Sequence, residues 1–363
     1  MKAAVLEATG GTFVVQEVQI DNPISREVRV DVKASGLCHS DLNIAENGFG
    51  YPVPAVLGHE ISGIVSAIGP DVSEFSVGDH VVGSLISHCG RCGPCLDGKT
   101  FQCHRKDAVK RRSGQGSRLS RNGVPLAQTF DLGGFAEQAL VHENNLVKVS
   151  AAVPFGRAAL LGCGVITGAG AAINTAGVRV GDTVAVIGCG GVGLNVVQGA
   201  AIAGARRIIA IDLQPSKLAL ALKFGATDTI NPLDGDLPEQ VRSILGTDGV
   251  NHSFEAVGLK VTASQALAVL GKGGGAYLIG MQKPGTLLEI DPMDDLIRMQ
   301  KRIQGVWMGS TNSKIDIPMY ADLYVQGRYN LDDLVSQTIS LDEINEGYDA
   351  LRAGEIARTV ITF

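Results

Sequence analysis

Two hydrophobic patterns divide the chain. Up to about residue 164, apolar residues come in short alternating runs separated by glycine turns: VRVDV at 28–32, ISGIVSAIG at 61–69 and DHVVGS at 79–84. A period of two predicts strands with one buried face, and so a largely β region. Further on the pattern changes. TVAVI at 183–187 and RRIIAID at 206–212 read as short buried strands, and more are predicted at 228–230, 250–254, 276–279 and 303–307. Helical segments fall between them, from Val192 towards Ala205 and at 238–245, 261–270 and 292–301. Alternation of this kind predicts an α/β fold, with six parallel strands, right-handed crossovers and a doubly wound sheet.

Length and composition agree with two domains. A chain of 363 residues exceeds one typical domain, and 45% hydrophobic against 19% charged residues suffices for a large core. The 47 glycines suit many tight turns between strands and helices. A net charge of −6 argues against a nucleic-acid surface. No apolar run is expected to reach the roughly 18 residues of a membrane span, and MKAAVLEATGG lacks a signal-peptide core. The expectation is a cytoplasmic protein without a membrane partner, where stable disulfides are rare.

Of seven cysteines, four cluster in HCGRCGPCLDGKTFQC at 88–103. Cys89, Cys92, Cys95 and Cys103 have the spacing C-x2-C-x2-C-x7-C, and glycines 90, 93 and 98 with Pro94 let the backbone wrap an ion. Four thiolates suit zinc or an iron centre, and a filled shell leaves the metal a structural role. An iron–sulfur signature usually continues with proline, where this chain has His104. Loop cysteines without metal are the bland alternative.

Three scattered groups, GLCHSD at 36–41, GHE at 58–60 and GCG at 162–164, offer Cys38, His59 and Cys163. Two thiolates and one imidazole with a fourth position open make a catalytic zinc set. Singly, each is as readily a buried small hydrophobe or a loop histidine. The turn GCGGVG at 188–193 follows a predicted strand and opens a helix, which is the context in which Gly188-x-Gly190-x-x-Gly193 binds a dinucleotide. Gly188 permits the turn, Gly190 the approach of pyrophosphate and Gly193 the packing of helix on strand, with Gly191 beside them. Asp212, 22 residues past Gly190, ends the next strand. A carboxylate there accepts from a ribose diol and repels a 2′-phosphate, favouring NAD over NADP. Its bland reading is a cap on the helix near Pro215.

In their order, GLCHSDL, VLGHEISGIV, CGRCGPC, GCGVITGAGA, GCGGVGL and the terminal INEGYDALRAGEIARTVITF, these blocks resemble the zinc-dependent alcohol dehydrogenases of the medium-chain dehydrogenase/reductase superfamily nearly end to end. The resemblance implies a discontinuous GroES-like catalytic domain, 1–164 with 308–363, and a Rossmann domain, 165–307. It implies two zincs per subunit, catalytic on Cys38, His59 and Cys163 and structural on Cys89, Cys92, Cys95 and Cys103. By matched position, Asp41 fixes the His59 ring, Glu60 stands behind the metal and Ser40 touches the alcohol. His39 and Arg358 hold pyrophosphate, Thr167 and Val192 flank the nicotinamide, and Lys217 reaches the ribose.

The implied reaction is reversible oxidation of a primary alcohol to an aldehyde with NAD. Phe49, Leu85 and Met281 suggest an apolar pocket for medium-sized, aromatic or terpenoid substrates. A thiol-adduct (formaldehyde) or polyol dehydrogenase is the runner-up, and a non-enzymatic zinc- and nucleotide-binding protein is the other class. Relatives carry a relay histidine where this chain has Asn43, and an amide is no base near neutral pH. A homodimer or homotetramer is expected, its contact the last strand of the nucleotide domain. The basic stretch RKDAVKRRSGQGSRLSRNG at 105–123 reads as a solvated excursion, or else as a lip or subunit contact.

Overall fold

The six apolar runs after residue 183 form one sheet. Its strands lie in the order Asp228–Ile230, Arg207–Ile211, Thr183–Ile187, Val250–Glu255, Leu270–Leu278, Arg302–Gly305, every neighbouring pair parallel. In chain order this is 3-2-1-4-5-6, and the direction of winding reverses beside Thr183–Ile187, where doubly wound sheets bind ligands. That strand is buried along its whole length, as a central parallel strand under helices must be. The computed structural model describes residues 1–354 and 358–363, so three residues of the terminal block lie outside the described residues. The sheet belongs to a unit of Gly164–Thr311, and a second unit joins Met1–Cys163 to Asn312–Phe363.

Two sequence expectations shift here. The strand predicted at 276–279 begins at Leu270 and runs through its glycines. At Gly274 a side chain would crowd the neighbouring backbone, since a Cβ there would lie 2.9 Å from the Val250 carbonyl oxygen. The helix predicted at 292–301 is one π-helical turn, Pro292–Ile297, capped by the Asp291 side chain.

The first unit holds two sheets. The longest strand, Glu27–Gly36, pairs antiparallel with Glu60–Ile68, Gln138–His142 and the C-terminal Thr359–Thr362. That last pairing closes the unit across the sequence. Its register aligns Gly36 with both Glu60 and Val360, which fixes the surroundings of the residues just after Gly36. A second core packs Phe13, Phe135 and Tyr348 ring on ring.

Two further expectations are corrected. The stretch 105–123 is not a freely solvated excursion. Arg111 and Arg118 both donate to Glu27, whose side chain is only 4% exposed, and Arg111 also reaches Asp21. The stretch ends in the short strand Leu119–Arg121. The helix Phe155–Ala176 is long and apolar enough to cross a membrane by length and composition, although no such run was expected. Its glycines, alanines and threonines disguise it in the sequence, and 83% of its most apolar window is buried, as in a core helix.

Candidate metal centre and dinucleotide turn

Cys38 caps the helix His39–Asn47 in extended conformation, directly after the long strand. His59 immediately precedes the strand Glu60–Ile68. Cys163 lies in the π-helical turn Leu161–Val165, where the widened turn departs from the regular ladder. Glycines permit these approaches. A Cβ on Gly36 would meet Glu60 Oε2 at 2.3 Å, and one on Gly162 would meet the Gly83 carbonyl at 2.0 Å.

The ligand atoms of Cys38, His59, Glu60 and Cys163 all lie within 4.8 Å of one another. None of these residues is more than 6% exposed. His59 Nε2 is 3.2 Å from Cys163 Sγ, while Nδ1 lies 2.8 Å from Asp41 Oδ2, at contact distance though poorly aligned for a hydrogen bond. The other Asp41 oxygen accepts from Gly58 N at 3.1 Å. Asp41 thus orients the imidazole from behind. The Cys38 thiol donates to Ser40 Oγ at 3.7 Å, which places that hydroxyl at the cluster's edge.

The electrostatics fit a bound cation. Burial would depress His59, but the Asp41 and Cys38 charges raise it well above its ordinary value. Cys38 is drawn down by the Cys163 thiol and, against desolvation, by the charges of Arg358 and His59. Desolvation lifts Glu60 to about 7, and its two oxygens have no hydrogen-bond donor among the described residues. Arg358 is its nearest charge, 3.5 Å away. Two thiols, an imidazole and an unsatisfied buried carboxylate form a donor set that zinc would complete.

The second cluster is local. Cys92 Sγ is 3.4 Å from Cys95 Sγ and 3.8 Å from Cys103 Sγ. Backbone N–H groups of Cys89 and Arg105 both donate to Cys103 Sγ at 3.3 Å. The backbone at Cys95 pulls Cys92 down to about 6. All seven cysteines are free, and these four meet as one metal-sized group.

In the other unit, Gly188 has φ 92°, and a Cβ there would meet Val257 Cγ2 at 2.5 Å. On Gly193 it would meet the Gly188 carbonyl at 1.8 Å. On Gly190, which caps the helix Gly191–Ile202, it would meet nothing within 4 Å. The first and third glycines are therefore demanded by packing. The second leaves open space where pyrophosphate is expected.

Asp212 Oδ2 accepts from Cys189 N at 2.8 Å and Oδ1 from Gln214 N at 2.9 Å, so its carboxylate braces the turn from behind. Lys217 lies on the helix Pro215–Lys223 and Val192 in the first turn of Gly191–Ile202. Thr167 is buried, its hydroxyl donating to Met308 Sδ at 3.6 Å. A Cβ on the adjoining Gly168 would meet the Val192 carbonyl at 2.3 Å, so glycine brings Thr167 close to Val192.

Not every expected site residue joins a cluster. His39 is exposed at its helix start. Arg358 is buried against Glu60 and the Leu37 carbonyl, so it has a local partner besides any phosphate. Phe49 is partly exposed with φ 44°, Met281 is exposed, and Leu85 packs on the core formed by the strands Glu27–Gly36 and Glu60–Ile68. Sequence reasoning missed Phe130, whose ring meets His59 edge-on at 5.0 Å and Tyr51 at 5.3 Å. Phe130 and Asp131 both have positive φ, and nothing in TFD at 129–131 signals it.

Comparisons with known proteins now bear on this geometry. Residues 25–151 match the family model described as alcohol dehydrogenase GroES-like domain, and 191–324 that described as zinc-binding dehydrogenase. An NDMA-dependent alcohol dehydrogenase of Amycolatopsis methanolica is 37% identical over 99% of this chain and 98% of its own. Two solved structures are similarly close. An alcohol dehydrogenase zinc-binding domain protein from Burkholderia ambifaria has TM-score 0.94 at 38% identity, covering 100% of this chain and 98% of that one. Benzyl alcohol dehydrogenase from Acinetobacter calcoaceticus has TM-score 0.93 at 37% identity, covering 100% and 99%.

Proposed function

Because the chain belongs to the zinc-dependent alcohol dehydrogenases of the medium-chain dehydrogenase/reductase superfamily, we propose that it reversibly oxidises primary alcohols, medium-sized and aromatic or terpenoid, to aldehydes with NAD. The observation that carries this reading is the buried convergence of Cys38, His59 and Cys163 with Glu60. When bound, zinc supplies Lewis acidity toward the alcohol oxygen and NAD accepts the hydride. The balance is alcohol and NAD⁺ to aldehyde, NADH and one proton.

The protein's residues do the positioning. Cys38, His59 and Cys163 hold the catalytic metal, and Cys89, Cys92, Cys95 and Cys103 a structural one. Asp41 fixes the His59 ring, and Glu60, lifted to about 7, gives the metal a carboxylate neighbour while Arg358 balances its charge. Ser40 Oγ takes the alcohol proton and passes it towards solvent, since the Asn43 amide cannot hold it. Gly188, Gly190, Gly191 and Gly193 with His39 and Arg358 receive the pyrophosphate. Asp212, although braced on two N–H groups, keeps acceptor capacity for the ribose, with Lys217 beside it, and Thr167 and Val192 pack on the nicotinamide. Burial of the metal cluster excludes water and strengthens the interactions among its own side chains. The subunits pair through Arg302–Gly305, the outer strand of the parallel sheet.

The benzyl alcohol dehydrogenase neighbour favours the aromatic part of the substrate range. The relative named NDMA-dependent supports a second reading, in which turnover needs NDMA as well. A spectrophotometric screen of aliphatic, aromatic and terpene alcohols tests both, with NAD or NADP, with and without NDMA and a chelator. NADH formation with benzyl-type alcohols and NAD, abolished by the chelator, is the expected result. Turnover only when NDMA is added selects the second reading, and activity only with NADP or undiminished by chelation overturns the first.

A further inference from the structure

The chain carries a net charge of −6, yet one cavity in its first unit is walled by cations. It is half-open, with a volume of about 390 Å³ beside the four-cysteine loop, and Arg26, Arg91, Lys110, Arg111, Arg112 and Arg118 line it against two carboxylates, Glu27 and Asp71. The volume is within the range of small-molecule sites. Its floor is rigid. Arg111 and Arg118 have side chains 7% and 8% exposed, fixed on the shared Glu27. Arg118 gives Nε to Glu27 and Nη2 to the Val109 carbonyl, and Nη1 has no acceptor among the described residues. Arg26 is paired with Glu143. Arg91, Lys110 and Arg112 make no ion pair among the described residues and are exposed at the rim.

Two neighbouring groups register this field. Burial together with Arg26 and Arg118 pushes His142, another lining residue, down to about 4. Burial raises Asp131 above its ordinary value, and Lys110 and Arg118 offset that only in part. Asp131 follows Phe130, the residue whose ring meets His59.

We propose that this cavity binds a small polyanion, a molecule bearing two or more phosphate or carboxylate groups. Arg111 is fully engaged by Glu27, Asp21 and nearby carbonyls, so the floor donor left for such an oxyanion is the Arg118 guanidinium, and the exposed rim cations add charge around it. A half-open space of this size admits a small molecule, and the chain's net negative charge disfavours a macromolecular polyanion. The competing explanation is that the arginines only offset the charge of the four thiolates, since Arg91 stands inside their loop.

The test is calorimetric titration of pyrophosphate and of citrate into the zinc-loaded full-length protein saturated with NAD, so that the dinucleotide turn is already filled, compared with an Arg91→Ser/Arg112→Ser variant. Both substitutions are at exposed side chains, so the core is untouched. The expected result is one saturable site per subunit. Affinity in the variant should be about tenfold weaker for each cation removed, with zinc content and melting temperature unchanged. The tighter probe assigns the phosphate or the carboxylate class. Three results overturn the proposal: no saturable binding of either probe at millimolar concentration, pyrophosphate binding that the variant leaves unchanged, or a loss of zinc in the variant.

Discussion

Two clusters of metal-binding side chains occur among the described residues, built in opposite ways. Cys89, Cys92, Cys95 and Cys103 belong to one short loop. Two of them are only half-buried, and backbone N–H groups support their sulfur atoms. Cys38, His59 and Cys163 come from three distant segments and meet only because Glu27–Gly36 pairs in register with Glu60–Ile68 while Gly162 presses against the Gly83 carbonyl. Ionisable side chains, Asp41, Glu60 and Arg358, surround that second set. A local loop can satisfy a metal and contribute stability, whereas a set assembled by the whole sheet can also be buried, charged and aimed. Stability is thus expected to reside in the first cluster and chemistry in the second.

The largest effect should come from breaking the dispersed set. Cys163→Ala removes one of three protein ligands, and we expect benzyl-alcohol oxidation to fall by about 10³-fold or more. Metal analysis should show one zinc per subunit instead of two, with an almost unchanged melting temperature. A large loss of stability would erase the division of labour. Cys92→Ser should do the converse. Losing a structural metal should lower the stability of the fold by several kcal/mol, of the order of 3–5. The surviving folded fraction should keep its turnover, checked by thermal unfolding beside active-site titration.

The same contrast governs what could be read from the sequence. The four-cysteine loop was legible from spacing alone, because its ligands are neighbours along the chain. The glycine turn was legible too, since strand, turn and helix are contiguous, and the strands at 183–187, 207–211 and 228–230 appear where the apolar runs are. Cys38, His59 and Cys163 were three weak signals until the resemblance joined them. Phe130 stayed invisible because its place beside His59 depends on backbone with positive φ, and the contact of Arg358 with Glu60 because it depends on strand register. The stretch 105–123 read as solvated because basic residues usually are. Nothing local shows that Glu27, far upstream, takes two of its arginines into the interior.

That ion cluster ties the local loop to the sheet, and Glu27→Gln probes how independent the loop is. Removing the carboxylate leaves two nearly buried guanidinium groups short of a partner, at a cost of about 3 kcal/mol. In the intact protein, burial pushes Glu27 up, but hydrogen bonds from Arg111 and Arg118 more than offset it and hold the carboxyl below its ordinary 4.5. A depressed carboxyl contributes stability that is complete above the unfolded value and lost as pH falls through the folded one. Glu27→Gln should therefore flatten the loss of stability below about pH 4.5, in urea titrations at pH 3 to 7. Asp41→Asn is a milder change at the other cluster. An amide still packs against His59 but no longer fixes its charge, and a 10–100-fold fall in zinc affinity or turnover is expected, with stability almost unchanged.

The smallest effect, and the sharpest on chemistry alone, is Asn43→His. Asn43 is on the helix that starts just after Cys38, half-buried, and its carbonyl accepts from Asn47 Nδ2 at 3.2 Å. Its amide neither takes up nor releases a proton, so on the proposed mechanism the proton is expected to leave through Ser40 and water. The pH dependence of turnover should then have a single limb, set by the groups at the metal. An imidazole at position 43 titrates near pH 6.5 and offers the proton an acceptor. We expect a second limb near that pH and a change in kcat of about two- to fivefold, with zinc content and melting temperature unchanged. A rate and pH profile identical to those of the native protein would show that protons leave by a path that does not pass this helix.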